Sequence, residues 1–130
     1  MKQKRIDSFL AIANEEFSAA EKLHVPLPKQ AQYFLQQTVE KLIRAVLESE
    51  EVVVGMTHNL FMLAGMLPKE HVLRARFEEF EHLSSASTRY RYPSGAGGTH
   101  SVSTAEVGRV LEEVRTLKVE VEKFFGRKAA

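Results

Sequence analysis

Residues 28–49 read PKQAQYFLQQTVEKLIRAVLES, and apolar side chains recur along them at steps of three and four. This spacing predicts an α-helix with a continuous apolar stripe. The stripe consists of Ala31, Phe34, Leu35, Thr38, Leu42 and Ala45, and it is widened by Tyr33, Val39, Ile43, Val46 and Leu47. Apolar residues over so much of the circumference indicate a helix at the centre of the fold, or one that a partner covers on a second side.

A second and a third long helix are predicted near the two ends of the chain. Residues 3–23 repeat apolar side chains at the same steps, and prolines within residues 25–28 end that helix because proline cannot continue the hydrogen-bond ladder. The last helix begins at Ser103 or Thr104, and Glu106 stands three residues after Ser103 as in a capping box. Its apolar residues repeat about every 3.5 residues, which is typical of helical bundles.

Two shorter helices are predicted between the long ones. The first begins near Leu60, with Thr57 or Asn59 as its N-cap, and Pro68 ends it. The second covers residues 69–83 and carries a mixed-charge face that indicates contact with solvent.

The connections and helix ends complete the predicted architecture. Residues 52–55, Val-Val-Val-Gly, are interpreted as a buried connection because no other stretch could pair with them as a strand. Gly126 is predicted to end the last helix. The sum is an all-α protein, an up-and-down four-helix bundle with an additional short helix, in a single domain over residues 1–130.

The composition excludes several classes of function. With 44% apolar and 27% charged residues the chain is typical of soluble globular proteins, and its net charge of +1 requires any anion site to be local. The absence of cysteine excludes thiolate metal sites, and the five histidines show no metal-binding spacing, so no metal and no cofactor are expected. Apolar runs are too short for a membrane span, and the basic start is not followed by a signal-peptide core, so a cytoplasmic protein is predicted.

Residues 84–100 read SSASTRYRYPSGAGGTH and interrupt the helical pattern. No acidic residue falls between Leu83 and Ala105, so Arg89 and Arg91 are locally uncompensated. Guanidinium groups that alternate with flat aromatic rings suit contacts to phosphates and bases. The alternative is an exposed connection between helices with a few capping contacts.

Three further residues have both a functional and a structural interpretation. Glu40 and Arg44 are four residues apart in the stabilising orientation, which favours a surface ion pair. The alternative is that their polar stripe faces a ligand or a second subunit. His58, just before a helix start, contacts either the backbone or a ligand.

Several of these residues together resemble the HEPN family, named for higher eukaryotes and prokaryotes nucleotide-binding. The similarity rests on the helix residues 36–45, QQTVEKLIRA, then residues 57–60, THNL, then residues 91–93, RYP. Asn59 stands where the family usually has aspartate, a change that keeps the capping ability.

The resemblance implies a bundle of four or five helices that forms a homodimer. It also implies a minimal nucleotidyltransferase as partner, in a toxin–antitoxin type of module, and a nucleotide as ligand. One branch of the family consists of metal-independent ribonucleases with an arginine, four to six residues and then a histidine. Here Arg91 and His100 are separated by eight residues, which argues against that activity.

Three hypotheses follow. In the first, a non-catalytic accessory protein binds a nucleotide: Arg89 and Arg91 contact phosphates, Tyr90 or Tyr92 stacks on a base, and Lys41, Arg44 and His58 complete the site. In the second, a ribonuclease toxin acts on RNA with His100 as acid or base and Arg91 as charge stabiliser. In the third, the chain is an interaction module without a ligand.

Overall fold

In a computed structural model of the protein, the residues described are 2–84, 93, 95–98 and 101–129. They form five α-helices and one 3₁₀ turn, without any strand in these ranges. The elements are α1 (Lys2–Leu23), α2 (Pro28–Ser49), α3 (Leu60–Ala64), α4 (Arg74–Glu78), the 3₁₀ turn (Glu81–Leu83) and α5 (Thr104–Ala129). The prediction of an all-α helical bundle is confirmed.

Helix α2 lies at the centre of the bundle, as its apolar pattern predicts. It packs along α1 and also contacts α5, α3 and the 3₁₀ turn. Leu35, Val39 and Ile43 are fully buried in a core that also takes in Phe77 and Phe80. The position of α2 matters for function because some of its polar side chains, Gln36 and Glu40 among them, are buried by its neighbours.

The region between Pro68 and Leu83 differs from the predicted single helix. Only Arg74–Glu78 is α-helical, and Glu81–Leu83 forms the separate 3₁₀ turn. The late start of α4 has a local cause in the turn before it, where the Nδ1 atom of His71 accepts the backbone N–H of Leu73 at 3.1 Å. A side chain that takes up a backbone donor in this way competes with the helical ladder.

The predicted start of α5 agrees with the structure, and its predicted end does not. Ser103 Oγ accepts the N–H of Glu106 at 3.0 Å, so the predicted N-cap is confirmed. At the other end the helix continues past Gly126 to Ala129, and the predicted stop is wrong. Glycine inside a helix costs only about 1 kcal/mol relative to alanine, and no proline follows it to enforce an end.

The connection after α2 is only partly buried. Val52 and Val54 pack against the core, whereas Val53 is 95% exposed, so the prediction of a buried connection is wrong at Val53. Glu51 adopts a positive φ of 60°, which turns the chain as it leaves α2. No helix in the described ranges is long and apolar enough to cross a membrane.

A buried polar cluster on the central helix

The candidate functional site is a group of polar side chains centred on α2, with one member from α1 and one from the segment before α3. We call it the polar cluster, and it consists of Glu16, Gln36, Gln37, Glu40, Lys41, Arg44 and His58. Gln36 is fully buried, and the Glu40 side chain is only 4% exposed. Because removing such groups from water is costly, they are expected to be hydrogen-bonded, and they are.

The Glu40 carboxylate is the centre of the cluster. Its Oε2 accepts from Arg44 Nε at 3.0 Å, and its Oε1 lies 2.8 Å from Nδ1 of His58. Gln36 Nε2 makes a longer contact of 3.4 Å to the same Oε1. One buried carboxylate therefore holds both a guanidinium and an imidazole.

The segment that carries His58 is fastened to α2 by its backbone as well. Arg44 Nη2 donates to the carbonyl oxygen of Thr57 at 2.7 Å, and Gln36 Nε2 donates to that of His58 at 3.2 Å. The His58 side chain nevertheless remains 60% exposed. The imidazole is thus held from the interior and presented to solvent.

A second limb of the cluster reaches helix α1. Gln37 Nε2 donates to Gln36 Oε1 at 2.7 Å, and Lys41 Nζ donates to Gln37 Oε1 at 3.0 Å and to Glu16 Oε1 at 3.3 Å. Burial raises the pKa of the Glu16 carboxyl above its ordinary value, and the nearby Lys41 ammonium offsets only part of this effect. Lys41 is consequently balanced by a counter-ion inside the fold.

The structure brings together three of the six predicted nucleotide-binding residues. Lys41, Arg44 and His58 are joined through the hydrogen bonds of the cluster. The predicted ion pair between Glu40 and Arg44 exists, but its location at the surface was wrong, since the two side chains are 4% and 15% exposed. The other three, Arg89, Arg91 and Tyr92, lie outside the described residues, as do Tyr90 and His100 from the alternative hypotheses.

Sequence reasoning missed the part played by Glu16 and by the amides of Gln36 and Gln37. On α2 the two glutamines and Glu40 stand among other polar residues. The sequence alone therefore does not distinguish them from residues of a solvent-exposed face, because their burial is set by the surrounding helices. Glu16 comes from α1, 25 residues away from Lys41, and no spacing rule connects the two.

Residues 85–92, which we call the Arg-Tyr segment, follow directly after Ser84 in the sequence. Ser84, the last described residue before it, accepts the N–H of Leu60 on its Oγ at 2.9 Å. Leu60 is the first residue of α3 and lies two residues after His58. Asn59 caps the same helix end, with its Oδ1 accepting the N–H of Met62 at 2.9 Å, as one of the two predicted caps.

A groove of about 410 Å³ lies on another side of Arg44. Its lining includes Lys2, Arg5 and Phe9 of α1 and the Val52–Val54 connection. Its two α1 cations are already paired, Lys2 with Glu51 and Arg5 with Glu48. The groove therefore offers less free positive charge than its basic lining suggests.

The described residues contain no group of three or more histidine, aspartate or glutamate side chains arranged to hold a metal ion. The polar groups of the cluster are amides, carboxylates, one ammonium, one guanidinium and one imidazole.

The protein is an all-helical domain whose central helix carries a buried polar cluster. Comparison with protein families shows to which family of helical domains it belongs. The model of the HEPN domain family matches residues 6–124 of the 130-residue chain. The chain belongs to the HEPN family, a nucleotide-binding and ribonuclease-type family. No match was found among curated proteins or among solved structures.

Proposed function

We propose that the protein is a non-catalytic HEPN accessory protein that binds a nucleotide where the polar cluster meets the Arg-Tyr segment. The observation that carries the proposal is that Arg44 and His58, expected from the sequence to line a site, are held by one buried carboxylate. Ser84 anchors the start of the Arg-Tyr segment at the helix that follows His58. Arg89 lies five residues beyond Ser84 in the sequence, and five residues of extended chain span at most about 18 Å.

The charge balance of the polar cluster indicates which residues contact which part of the nucleotide. Lys41 and Arg44 are balanced by Glu16 and Glu40, so the described part of the cluster adds little net attraction for an anion. The phosphates are therefore assigned to Arg89 and Arg91, which have no acidic neighbour in sequence. Tyr92 is assigned the base, and the cluster supplies the rigid wall of the site.

Calorimetric titration with ATP and with GTP tests the proposal. We expect saturable binding with one site per chain, and a loss of about 1–3 kcal/mol in binding free energy for Arg91→Ala, as for a charge-assisted hydrogen bond. Arg115→Ala is the matched control, because Arg115 is an exposed arginine of α5 paired with Glu21 and Glu112. Absence of binding, or equal losses in both variants, would contradict the proposal.

The His58–Glu40 pair specifically favours a second candidate, the metal-independent ribonuclease. An imidazole oriented by a buried carboxylate is the usual arrangement of a general base. Incubation of a fluorescent RNA with the protein in a chelator distinguishes the two functions. The accessory protein leaves the RNA intact, whereas cleavage that disappears in both His58→Ala and His100→Ala would establish the ribonuclease.

We also propose that the chain forms a homodimer and pairs with a minimal nucleotidyltransferase in a toxin–antitoxin type of module. The support for a docking partner is a group of exposed apolar side chains around α3, namely Met56, Phe61, Met62 and Met66. Co-purification with a nucleotidyltransferase from a neighbouring reading frame tests the pairing. Met62→Glu is expected to abolish it, and Val72→Glu, at another exposed apolar position, is expected to leave it intact.

A further inference from the structure

We propose that a groove between the turn before α4 and the last turns of α5 docks an acidic amphipathic helix of another protein. The groove encloses about 710 Å³, and its lining combines apolar with charged side chains. The lining residues are Val72, Leu73, Glu120, Lys123, Phe124 and Arg127. This surface shares no residue with the polar cluster or with the apolar group around α3, so the inference goes beyond the proposed function.

The apolar floor of the groove is already fixed by the fold. Leu73 is 5% exposed and belongs to the core, and the ring of Phe124 packs on that of His71 with 5.2 Å between their centroids. His71 is itself held by its contacts with Glu50 and with the N–H of Leu73. Val72, in contrast, is 79% exposed. A partner can therefore cover Val72 without the cost of first ordering the groove.

The described side chains give the groove a positive charge. Glu120 is neutralised, because its Oε1 accepts from Arg76 Nε at 2.9 Å. Lys123 and Arg127 are exposed and pair with no carboxylate of the described residues. Arg127 makes only a contact of 3.4 Å from its Nε to the carbonyl oxygen of Lys123. The groove therefore presents two cations to a partner that carries carboxylates.

The spacing of these two cations matches the period of an α-helix. Lys123 and Arg127 are four residues apart on α5, so they lie on one face and about 6 Å apart along the helix axis. Two carboxylates one turn apart on a helix packed alongside α5 have the same separation. Apolar residues on the same face of that helix would then cover Val72, as in other helix-in-groove complexes.

The apolar floor distinguishes this partner from other carriers of negative charge. An RNA backbone also repeats negative charges, but its phosphates and sugars bring no apolar side chain to cover Val72 and Leu73. A neutral apolar helix would cover these two residues and remove water from both cations without pairing them, which is unfavourable. An acidic amphipathic helix satisfies the cations and the floor together.

Titration with a synthetic peptide, followed by amide NMR of the full chain, tests the inference. The probe is a peptide of about four helical turns with leucine and glutamate on one face, and its control has glutamine for every glutamate. We expect the acidic peptide to shift the amide signals of Val72, Lys123 and Phe124 in a saturable way. It is expected to bind roughly tenfold more tightly than the neutral peptide, the effect of about two exposed ion pairs.

Matched charge variants separate the groove from the charge of the whole protein. Lys123→Gln combined with Arg127→Gln is expected to weaken the acidic peptide roughly tenfold and to leave the neutral one unchanged. Lys22→Gln combined with Arg109→Gln removes the same charges at exposed positions elsewhere and is expected to change neither. Circular dichroism checks that α5 keeps its helix, because cations near a helix C-terminus also stabilise it.

A matched pair of valine variants tests the apolar half of the groove. Val72→Ser is expected to weaken both peptides, because both place leucine on this side chain. Val25→Ser, at another exposed valine, is expected to weaken neither. Equal effects of the two substitutions would overturn the assignment of the apolar contact to this groove.

The remaining outcomes would also overturn the inference. They are the absence of acidic-peptide binding, equal affinity for both peptides, and equal weakening by the two charge-variant pairs. Displacement of the acidic peptide by a short RNA would assign the groove to nucleic acid instead. Self-association in analytical ultracentrifugation that is lost on combining Lys123→Gln with Arg127→Gln would assign it to a second copy of the chain. The nucleotide titration tests the proposed function independently of all these results.

Discussion

Glu40 is the residue on which the polar cluster depends most, because three side chains converge on its buried carboxylate. We predict that Glu40→Ala lowers the free energy of unfolding by about 3 kcal/mol, since it leaves the Arg44 guanidinium largely buried without its counter-ion. Replacing both residues by leucine is expected to recover much of this loss, because no charge is then left unpaired. Urea unfolding of the single and double variants measures both effects.

The control for this prediction is an exposed ion pair. Glu112 pairs with Arg115 on the surface of α5, and Glu112→Ala is expected to change stability by less than about 1 kcal/mol. If Glu40→Ala proved equally mild, the cluster would contribute no more to stability than a surface pair does.

Glu16 gives the cluster a dependence on pH. A carboxyl whose pKa is raised by burial holds its proton more tightly in the native state than in the unfolded chain. The native state therefore loses stability as the pH rises from the ordinary pKa of a glutamate through the raised value in the fold. Glu16→Gln removes this loss, so the variant is predicted to gain stability relative to the unaltered protein as the pH rises above the ordinary pKa of a glutamate.

Urea unfolding at a series of pH values checks the sign of this effect. Glu113→Gln serves as the matched control, since Glu113 is an exposed glutamate of α5 that makes no contact with Glu16. Stability curves for Glu16→Gln and the unaltered protein that run parallel over this range would refute the prediction.

At the scale of elements, the start of α3 links the fold to the site. Asn59 caps this helix one residue after His58. Asn59→Ala is predicted to cost about 1 kcal/mol, whereas Asn59→Asp keeps the cap acceptor and places a negative charge at the helix start, with no loss expected. Thermal unfolding compares the two variants, and a larger loss for the aspartate would exclude capping as the role of this side chain.

The elements also show why the sequence predicts some boundaries and not others. The long helices are predictable because α1, α2 and α5 each bury a stripe that repeats at the helical period. The late start of α4 is not, because it depends on the ring of His71, whose Nε2 lies 3.1 Å from Glu50 at the end of α2. Because the ring is fixed by a distant element, no local pattern in the sequence indicates that its Nδ1 accepts the N–H of Leu73.

Only some members of the candidate site were predictable from the sequence, and its connections were not. Lys41, Arg44 and His58 follow from charge, spacing and the resemblance of their segments to the HEPN family. The partial burial of Lys41 and Arg44 and the contact of Glu40 with His58 follow from the packing of other elements around α2, which no local pattern records.

At the scale of the whole molecule, the polar cluster joins the central helix to the segment that leads into α3. Arg44 and Gln36 bind the carbonyl oxygens of Thr57 and His58, whereas α1 and α2 are held together along their length by apolar packing. We predict that Arg44→Ala speeds hydrogen exchange of the amides in residues 57–64 more than that of the core amides of α2, because local opening then needs fewer broken bonds.

Hydrogen exchange read by mass spectrometry distinguishes local from global loosening. Arg115→Ala is expected to leave residues 57–64 unchanged, and addition of ATP to the unaltered protein is expected to slow exchange there, since a ligand protects the state it binds. An increase spread evenly over α1, α2 and residues 57–64 in Arg44→Ala would mean that the cluster supports the bundle as a whole. Protection by ATP confined to residues 57–64 would instead tie the stability of this segment to the proposed nucleotide site.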